Sequence, residues 1–273
     1  MNALRPFVLA SSIALAVPAA AQVSVVSNYS QDFNSLGSGL PAGWGVWTSS
    51  SSTSNGLAFN WSTTQIANDA SAGATTYFRN LPGASQTWSA GLSAGSDRAL
   101  GWRAGDLASR NGSITFTLSN TTGWSFDNLS FQVFTPNSSG STASFQFQYQ
   151  AGTSGTFTNF SPTVSYTTVA TPAAGVALSV ISISLTSSQL SAISNQSGQV
   201  TLRFDNTATS GTSWNSLALD NFSYGASAVP EPSTYAAIAG AVALCGAAWH
   251  RRRQRQLAIF QPAKPSPYSP EPP

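Results

Sequence analysis

Strict alternation of apolar and polar residues runs through most of this chain, and it constrains the fold more than any other feature. In "SFQFQYQ", residues 144–150, Phe145, Phe147 and Tyr149 alternate with three glutamines. Because successive side chains of a strand point to opposite faces, such a segment predicts a strand with one apolar and one wet face. The same pattern recurs in "SITFTLS", "LSFQVFT", "TVSYTTV", "LSVISISL", "QVTLRF" and "LALDNFSY".

The alternating segments are separated by clusters of Gly, Pro, Asn and Ser, such as "TPNSSGS" and "AGTSGT". Such clusters are typical of turns between antiparallel strands. One short helix is predicted over residues 187–194, where Leu190 and Ile193 are three apart. No strand–helix alternation is present, which disfavours a parallel α/β fold. The sequence therefore predicts an all-β, antiparallel, jelly-roll-like β-sandwich over residues 22–228.

The charge of this β region excludes several classes of function. Residues 23–228 contain five Arg and seven Asp, a formal charge of −2, and no Lys, Glu, His or Cys. No basic patch for nucleic acid is available. A Ser-His-Asp triad, a Cys-His pair and a His-based zinc site are all excluded by residue inventory. The single cysteine, Cys245, permits no disulfide within the chain. We therefore expect a protein that is not an enzyme.

The N-terminal segment has the three parts of a secretory signal. Arg5 precedes an apolar stretch from Phe7 to Val17, and small residues follow before Gln22. This order predicts a signal peptide over residues 1–21, cleaved by signal peptidase between Ala21 and Gln22. The secretion machinery is therefore a predicted partner, and the body of the chain is predicted to be exported.

The C-terminal segment has an apolar run that follows two prolines. Pro230 and Pro232 limit where a helix can begin, and Tyr235 to Trp249 is a run without charge. A helix over this run would be about 22 Å long, shorter than the roughly 30 Å hydrocarbon core of a bilayer. The sequence predicts one transmembrane helix over 235–249, held by a stop-transfer cluster at Arg251, Arg252 and Arg253. Because the run is short and rich in Ala and Gly, we expect a transient membrane anchor.

"VPEPST", the apolar run and "RRRQR" together resemble the PEP-CTERM sorting domain of exported bacterial proteins. The resemblance covers residues 229–253 and implies that exosortase, a membrane protease, recognises the motif Pro230, Glu231 and Pro232. It implies a precursor tethered to the inner membrane, later passed to the cell surface or extracellular matrix of a bacterium that makes exopolysaccharide. The Pro-rich tail, residues 254–273, is predicted to be disordered. An ordinary single-pass tail anchor is the alternative left open.

The body also resembles jelly-roll-like bacterial surface domains. The resemblance is carried by "DFNSLGSGLPAGW", "DRALGWR" and "LALDNFSY", between residues 31 and 225. Members of this group mostly lack an assigned activity, so the resemblance bears on the fold.

Two further sets of residues are candidates for binding. Trp44, Trp47 and Trp102 lie in turn-like contexts and could offer flat rings to the sugars of exopolysaccharide. Calcium is the one cofactor left open, with Asp205 and Asp220 as its candidate ligands and Asp32 and Asp97 as further ones. Two function classes therefore stand beside each other: a sorted, non-catalytic surface or matrix protein, and a carbohydrate-binding module. A glycoside hydrolase would need two Asp carboxyls facing one groove.

Overall fold

The computed structural model describes residues 22–59, 78–85, 97–104, 112–137, 144–167, 179–207, 215–230 and 232–259. The predicted signal peptide with its cleavage residue Ala21, the motif residue Glu231 and the last part of the predicted tail lie outside the described residues. The chain forms two compact units, one ending at Ala228 and the other beginning at Val229.

The first unit consists of two sheets whose paired strands are antiparallel throughout the described part. Sheet A has the order β3-β2-β6-β11-β8-β9, and sheet B has the order β10-β7-β12-β5-β4, with β1 also paired to β12. The strands of sheet A are β2 (Trp44–Thr48), β3 (Leu57–Ala58), β6 (Ser113–Leu118), β8 (Ser144–Ala151), β9 (Thr158–Thr167) and β11 (Val200–Asn206). The strands of sheet B are β1 (Asn28–Gln31), β4 (Phe78–Pro82), β5 (Arg98–Ala104), β7 (Trp124–Asn137), β10 (Ile181–Ser184) and β12 (Asn215–Ala228).

The two sheets pack face to face through aromatic side chains. Phe131 of β7 in sheet B lies with its ring centre 4.9 Å from Phe204 and 5.0 Å from Phe147, both in sheet A. These rings belong to one buried core that also takes the apolar residues of β2, β6 and β12. Burying this apolar area is the main source of stability for a sandwich without disulfides. The predicted antiparallel β-sandwich is confirmed.

Strand β12 is central to sheet B and also the last strand of the unit. It pairs with β7 on one side and with β5 and β1 on the other, and it bulges between Asp220 and Ser223. Asn221, inside this bulge, has a φ of 48°. The pairing continues to Ala228, which lies opposite Trp124. The sandwich therefore reaches the residue immediately before Val229.

The predicted short helix is present as α1, Ser187–Ser191. Gln189 caps its first turn, because its Oε1 accepts the backbone N–H of Thr186 at 2.8 Å. Leu190 and Ile193 both enter the core, as their spacing predicted.

The second unit contains α2, Pro232–Ile259, which includes the span 235–249 that was predicted to be a transmembrane helix. Among the described residues, no helix is both long and apolar enough to cross a membrane. The helix is longer than predicted, because it begins at Pro232 and continues to Ile259, into the first residues of the tail that was predicted to be disordered. Its apolar stretch is rich in Ala and Gly and is followed, after His250, by Arg251, Arg252 and Arg253.

Candidate functional site

The predicted ligand-binding residue Trp44 is part of the core. Its side chain is 3% exposed, and its ring centre lies 4.8 Å from Phe33 and 5.1 Å from Phe222 of sheet B. Its Nε1 donates to the hydroxyl of Tyr29 at 3.0 Å. The prediction that Trp44 offers a ring to a ligand is therefore wrong, because strand β2 points this side chain into the sandwich.

Trp47 lies on the opposite face of the same strand and is half-buried. Its Nε1 donates to Thr115 Oγ1 on the neighbouring strand β6 at 2.8 Å. Gly45 makes room for the indole, since a Cβ at that position would lie 2.9 Å from Trp47 Nε1. The ring is therefore held beside the outer face of sheet A. Trp102, the third predicted residue, lies in β5 of sheet B, and the structure describes its backbone and not its side chain.

Four polar or amphipathic side chains form a row across the outer face of sheet A. Trp47 pairs with Ser113, Ser113 with Asp205, and Asp205 with Gln146. Directly paired residues of antiparallel strands share a face, so these side chains are neighbours. We name this set the Trp47 row: Trp47, Ser113, Asp205 and Gln146. It unites two residues that the sequence selected for different reasons, Trp47 for sugars and Asp205 for calcium.

Ser113 is the buried centre of the Trp47 row. It is fully buried, and its Oγ has no hydrogen-bond partner among the described residues. A buried polar atom without a partner costs about 1–3 kcal/mol, so such atoms are rare in folded proteins. A second buried oxygen without a partner, Asn55 Oδ1, lies in the segment Ser49–Gly56 beside this face.

Arg203 holds that segment on the sheet. Its guanidinium group donates to the carbonyls of Ser51 and Ser54 at 2.7 and 3.0 Å, and it also bonds Gln148 Oε1. The guanidinium carbon stacks on the Phe157 ring at 3.7 Å, and the side chain is 1% exposed. The segment Ser49–Gly56 is therefore fixed next to the Trp47 row by one buried cation.

Asp205 is a neighbour of this cation. Its Oδ1 lies 3.6 Å from Arg203 Nε and accepts a hydrogen bond from Ser50 Oγ at 2.9 Å. Burial raises the pKa of Asp205, although the charge of Arg203 and the Ser50 bond both favour the carboxylate. Burial also lowers the pKa of Arg203. The Asp205 carboxyl is therefore bonded to Ser50 and lies near Arg203, while its strand position places it in the Trp47 row.

The two candidate calcium ligands do not share a site. Asp205 lies on the outer face of sheet A, whereas Asp220 lies on the face of sheet B turned away from the core. In the part of the chain that the structure describes, no group of three or more His, Cys, Asp or Glu side chains could hold a metal ion. Asp205 and Asp220 therefore cannot bind one and the same calcium ion, and each stays a separate predicted ligand.

Asp220 serves instead as a buried acceptor for backbone groups. It is fully buried, and its carboxyl oxygens accept the N–H of Ala84 at 2.9 Å and of Asn221 at 2.7 Å. Burial raises the pKa of Asp220 to about 7, although both N–H donors favour the ionised form. The negative charges of Asp97 and Asp32 add to the rise. The hydrogen bond from Ala84 therefore connects the turn after β4 to the central strand β12.

Pro230 of the sorting motif is exposed, and α2 begins at Pro232. Arg251, Arg252 and Arg253 are exposed on α2, where the Arg253 guanidinium lies 5.6 Å from the centre of the Trp249 ring.

The sequence analysis did not select Ser113 or Arg203 as site residues, although the alternation pattern predicts the face on which both lie. The alternation in "SITFTLS" and "QVTLRF" places each residue on the face opposite to Ile114, Leu202 and Phe204. An arginine amid the Thr residues of that outer face is the one irregularity that the pattern contains.

Comparison with solved structures gives distant likenesses. A family 11 carbohydrate-binding module from Clostridium thermocellum is 10% identical, with 76% of this chain and 100% of that chain covered and a TM-score of 0.34. The K1 cleaved adhesin domain of Lys-gingipain from Porphyromonas gingivalis is 14% identical, with 73% and 98% covered and a TM-score of 0.34. The CBM22-1 xylan-binding domain from Paenibacillus barcinonensis Xyn10C is 12% identical, with 77% and 100% covered and a TM-score of 0.32. At these scores the likenesses carry no argument about ligand or function.

A comparison with curated proteins found no match. Residues 228–253, by contrast, match the family described as the PEP-CTERM protein-sorting motif. The match begins at the last residue of β12 and ends within the arginine cluster. The chain is therefore an exported surface protein whose C-terminal segment is a PEP-CTERM sorting motif, the signal for processing by exosortase.

Proposed function

We propose that the mature protein is a non-catalytic component of the cell surface or extracellular matrix, derived from a precursor tethered at the inner membrane. The observation that carries this proposal is the position of the sorting motif. The strand pairing of the sandwich ends at Ala228, and the motif match begins at that same residue. Exosortase can therefore remove everything after the motif without taking a strand from the sandwich.

The residue inventory of the body supports a non-catalytic role. Residues 23–228 contain no His, Cys, Lys or Glu, which leaves seven Asp as their only carboxyl side chains. Two of these, Asp205 and Asp220, lie on opposite outer faces of the sandwich and cannot act together in one groove.

The test is a variant in which Pro230, Glu231 and Pro232 are all replaced by Ala. We expect the variant to accumulate in the membrane fraction as the uncleaved precursor, while the wild-type protein reaches the cell surface. Equal release of both proteins would contradict exosortase sorting. For the non-catalytic part, the purified protein is incubated with the host's exopolysaccharide, and the appearance of new reducing ends would contradict it.

A second candidate function is carbohydrate binding, and the Trp47 row is the observation that favours it. The row puts a half-buried indole next to hydrogen-bonding groups on one face of a sheet, a combination suited to polyhydroxylated ligands. A pull-down of the full-length protein on host exopolysaccharide tests this role. We expect retention that is lost in Trp47→Ala and kept in Thr153→Ala, a change at an exposed position. Absence of retention would remove this candidate.

A further inference from the structure

We infer that the last residues of β12, Ala226–Ala228, must detach from β7 before exosortase can process this protein, which rests on the proposed sorting function. We name these residues the release segment. Three features of the described residues carry the inference. The release segment lies close to the sorting motif along the chain, it is weakly held, and the strands around it are firmly held.

The chain between the last strand and α2 is short. The strand pairing ends at Ala228 and α2 begins at Pro232, so Val229, Pro230 and Glu231 alone lie between them. These residues can reach only about 10 Å from Ala228 even when fully extended. Proteases act on chain that is exposed and unpaired, and a folded flank must open first. A protease that binds chain upstream of the motif must therefore draw it from β12.

The side chains of the release segment hold it weakly. They are two methyl groups and one hydroxymethyl group, and Ala226 alone among them is buried. The hydroxyl of Ser227 donates to Asp127 Oδ2 at 2.5 Å, and both of these residues are exposed. Detachment therefore removes little more than one methyl group from the core.

The backbone pairing of the release segment is one-sided. Strand β1 pairs with Phe222–Gly225 and adds a bond beyond that range, from the N–H of Ala226 to the carbonyl of Ser27 at 2.8 Å. Among the described residues, the two positions after Ala226 pair with β7 alone. A shift of register between Gly225 and Ala226 already separates the release segment from the regular ladder.

The part of β12 before the release segment is held firmly. Phe222 and Tyr224 are almost fully buried, and the Tyr224 ring stacks on Tyr29 of β1 with 5.3 Å between the ring centres. The Phe222 ring lies edge-on to Trp44 of sheet A at 5.1 Å. Opening beyond Gly225 would expose these rings to water, so we expect detachment to stop at this glycine.

The start of β7 keeps its place without the release segment. The N–H of Phe126 donates to Ser194 Oγ at 2.9 Å, and the carbonyl of Trp124 accepts from the N–H of Asn195 at 2.8 Å. Both bonds join β7 to the segment that follows α1. The sandwich can therefore stay folded while the release segment is away from the sheet.

A reversible cross-link tests the inference. Ser125→Cys/Ser227→Cys places a cysteine pair at directly paired positions of β7 and the release segment, where a disulfide would hold the two strands together. Ser130→Cys/Ser223→Cys joins the same strands within the firmly held part and is the matched control. The hydroxyl oxygens of Ser130 and Ser223 are 3.1 Å apart, which suits such a bridge.

Release of the full-length proteins to the cell surface is followed by pulse–chase, with and without a thiol reductant. Cys245→Ser is added to each protein, and bridge formation is verified by alkylation of free thiols. We expect the oxidised Ser125→Cys/Ser227→Cys protein to be released at least about tenfold more slowly than the control, and the reduced one at the control's rate.

Equal release of the two oxidised proteins would overturn the inference, as would slow release that persists after reduction. Either result leaves exosortase sorting standing, because the replacement of Pro230, Glu231 and Pro232 by Ala tests sorting separately.

A flexible linker between Ala228 and Val229 supplies a second measurement. About eight Gly and Ser residues give the protease unpaired chain before the motif while β12 stays in place. The linker should restore the release of the oxidised Ser125→Cys/Ser227→Cys protein to the control's rate. Continued slow release would overturn the inference, since the cross-link would then act by some means other than withholding chain from the protease.

Discussion

The Arg203 guanidinium lies over the Phe157 ring, with 3.7 Å between its central carbon and the ring centre, and its N–H groups bond the carbonyls of Ser51 and Ser54. Phe157 is itself tied to the same segment, because its backbone N–H donates to Ser52 at 2.7 Å. The buried charge of Arg203 thus holds the segment Ser49–Gly56 beside the Trp47 row.

Replacing Arg203 by Met should lower the free energy of unfolding by about 3 kcal/mol or more. The change leaves the Gln148 oxygen and two backbone carbonyls without a donor and Asp205 without its counter-charge. Urea denaturation measures the loss, and limited proteolysis should find cleavage within Ser49–Gly56. Thr153→Ala serves as the exposed control. If Arg203→Met unfolds at the same urea concentration as the wild type, these contacts of Arg203 do not stabilise the fold.

The two tryptophans of β2 should respond differently to truncation. Trp44→Ala removes a core ring and should cost about 3–5 kcal/mol of stability. Trp47→Ala should cost less, because this side chain is only half-buried and lies on the face of the sheet opposite to the core. Denaturation curves of both variants, recorded side by side, check the order. A larger loss in Trp47→Ala would reverse the assignment of the two faces.

Gly45→Ala should displace the Trp47 indole without touching the core. The added Cβ would lie 2.9 Å from Trp47 Nε1 and 3.0 Å from Thr115 Oγ1, and it would break the hydrogen bond between them. We expect a shifted tryptophan emission and weaker retention on exopolysaccharide, with a small change in stability. Wild-type emission and retention in this variant would show that the indole does not lie beside Gly45.

The stability of the sandwich should depend on pH through Asp220. Its pKa rises from 3.8 to about 7 on folding, so the folded protein binds more protons than the unfolded chain between these values. The contribution of Asp220 to the free energy of unfolding is complete below about pH 4. This free energy then falls by up to about 4 kcal/mol as the pH rises toward 7, because the buried carboxyl must ionise.

Asp220→Asn should flatten the stability profile in this pH window. Asp205, whose pKa is also raised, keeps its own contribution in both proteins. Melting temperatures of both proteins, measured at about evenly spaced values of pH 4, 5.5 and 7, give the dependence of stability on pH for each. Parallel slopes in the variant and the wild type would show that Asp220 does not titrate as its burial requires.

The alternation of apolar and polar residues predicts most strands of the fold. It also predicts on which face of a strand each candidate site residue lies. Trp44 and Trp47 are three residues apart in one strand, so a period of two places them on opposite faces. The same period places Arg203 away from the core. A pattern along single strands does not reveal which sheet a strand joins, so the sequence could not show that Asp205 and Asp220 lie in different sheets.

The contacts of the segment Ser49–Gly56 lay beyond sequence reasoning for a related reason. Arg203 reaches carbonyls of Ser51 and Ser54, about 150 residues earlier in the chain. Backbone carbonyls carry no residue-specific signal, so only the register of β2, β6 and β11 brings them to the arginine.

The intact mass of the protein released at the cell surface tests the central claim most directly. Sorting through the PEP-CTERM motif predicts a product that contains the sandwich through Ala228 and lacks Trp249 and the arginines that follow it. The same product should be absent from cells without exosortase. A released protein that still carries Trp249 and Arg251–Arg253 would contradict the account.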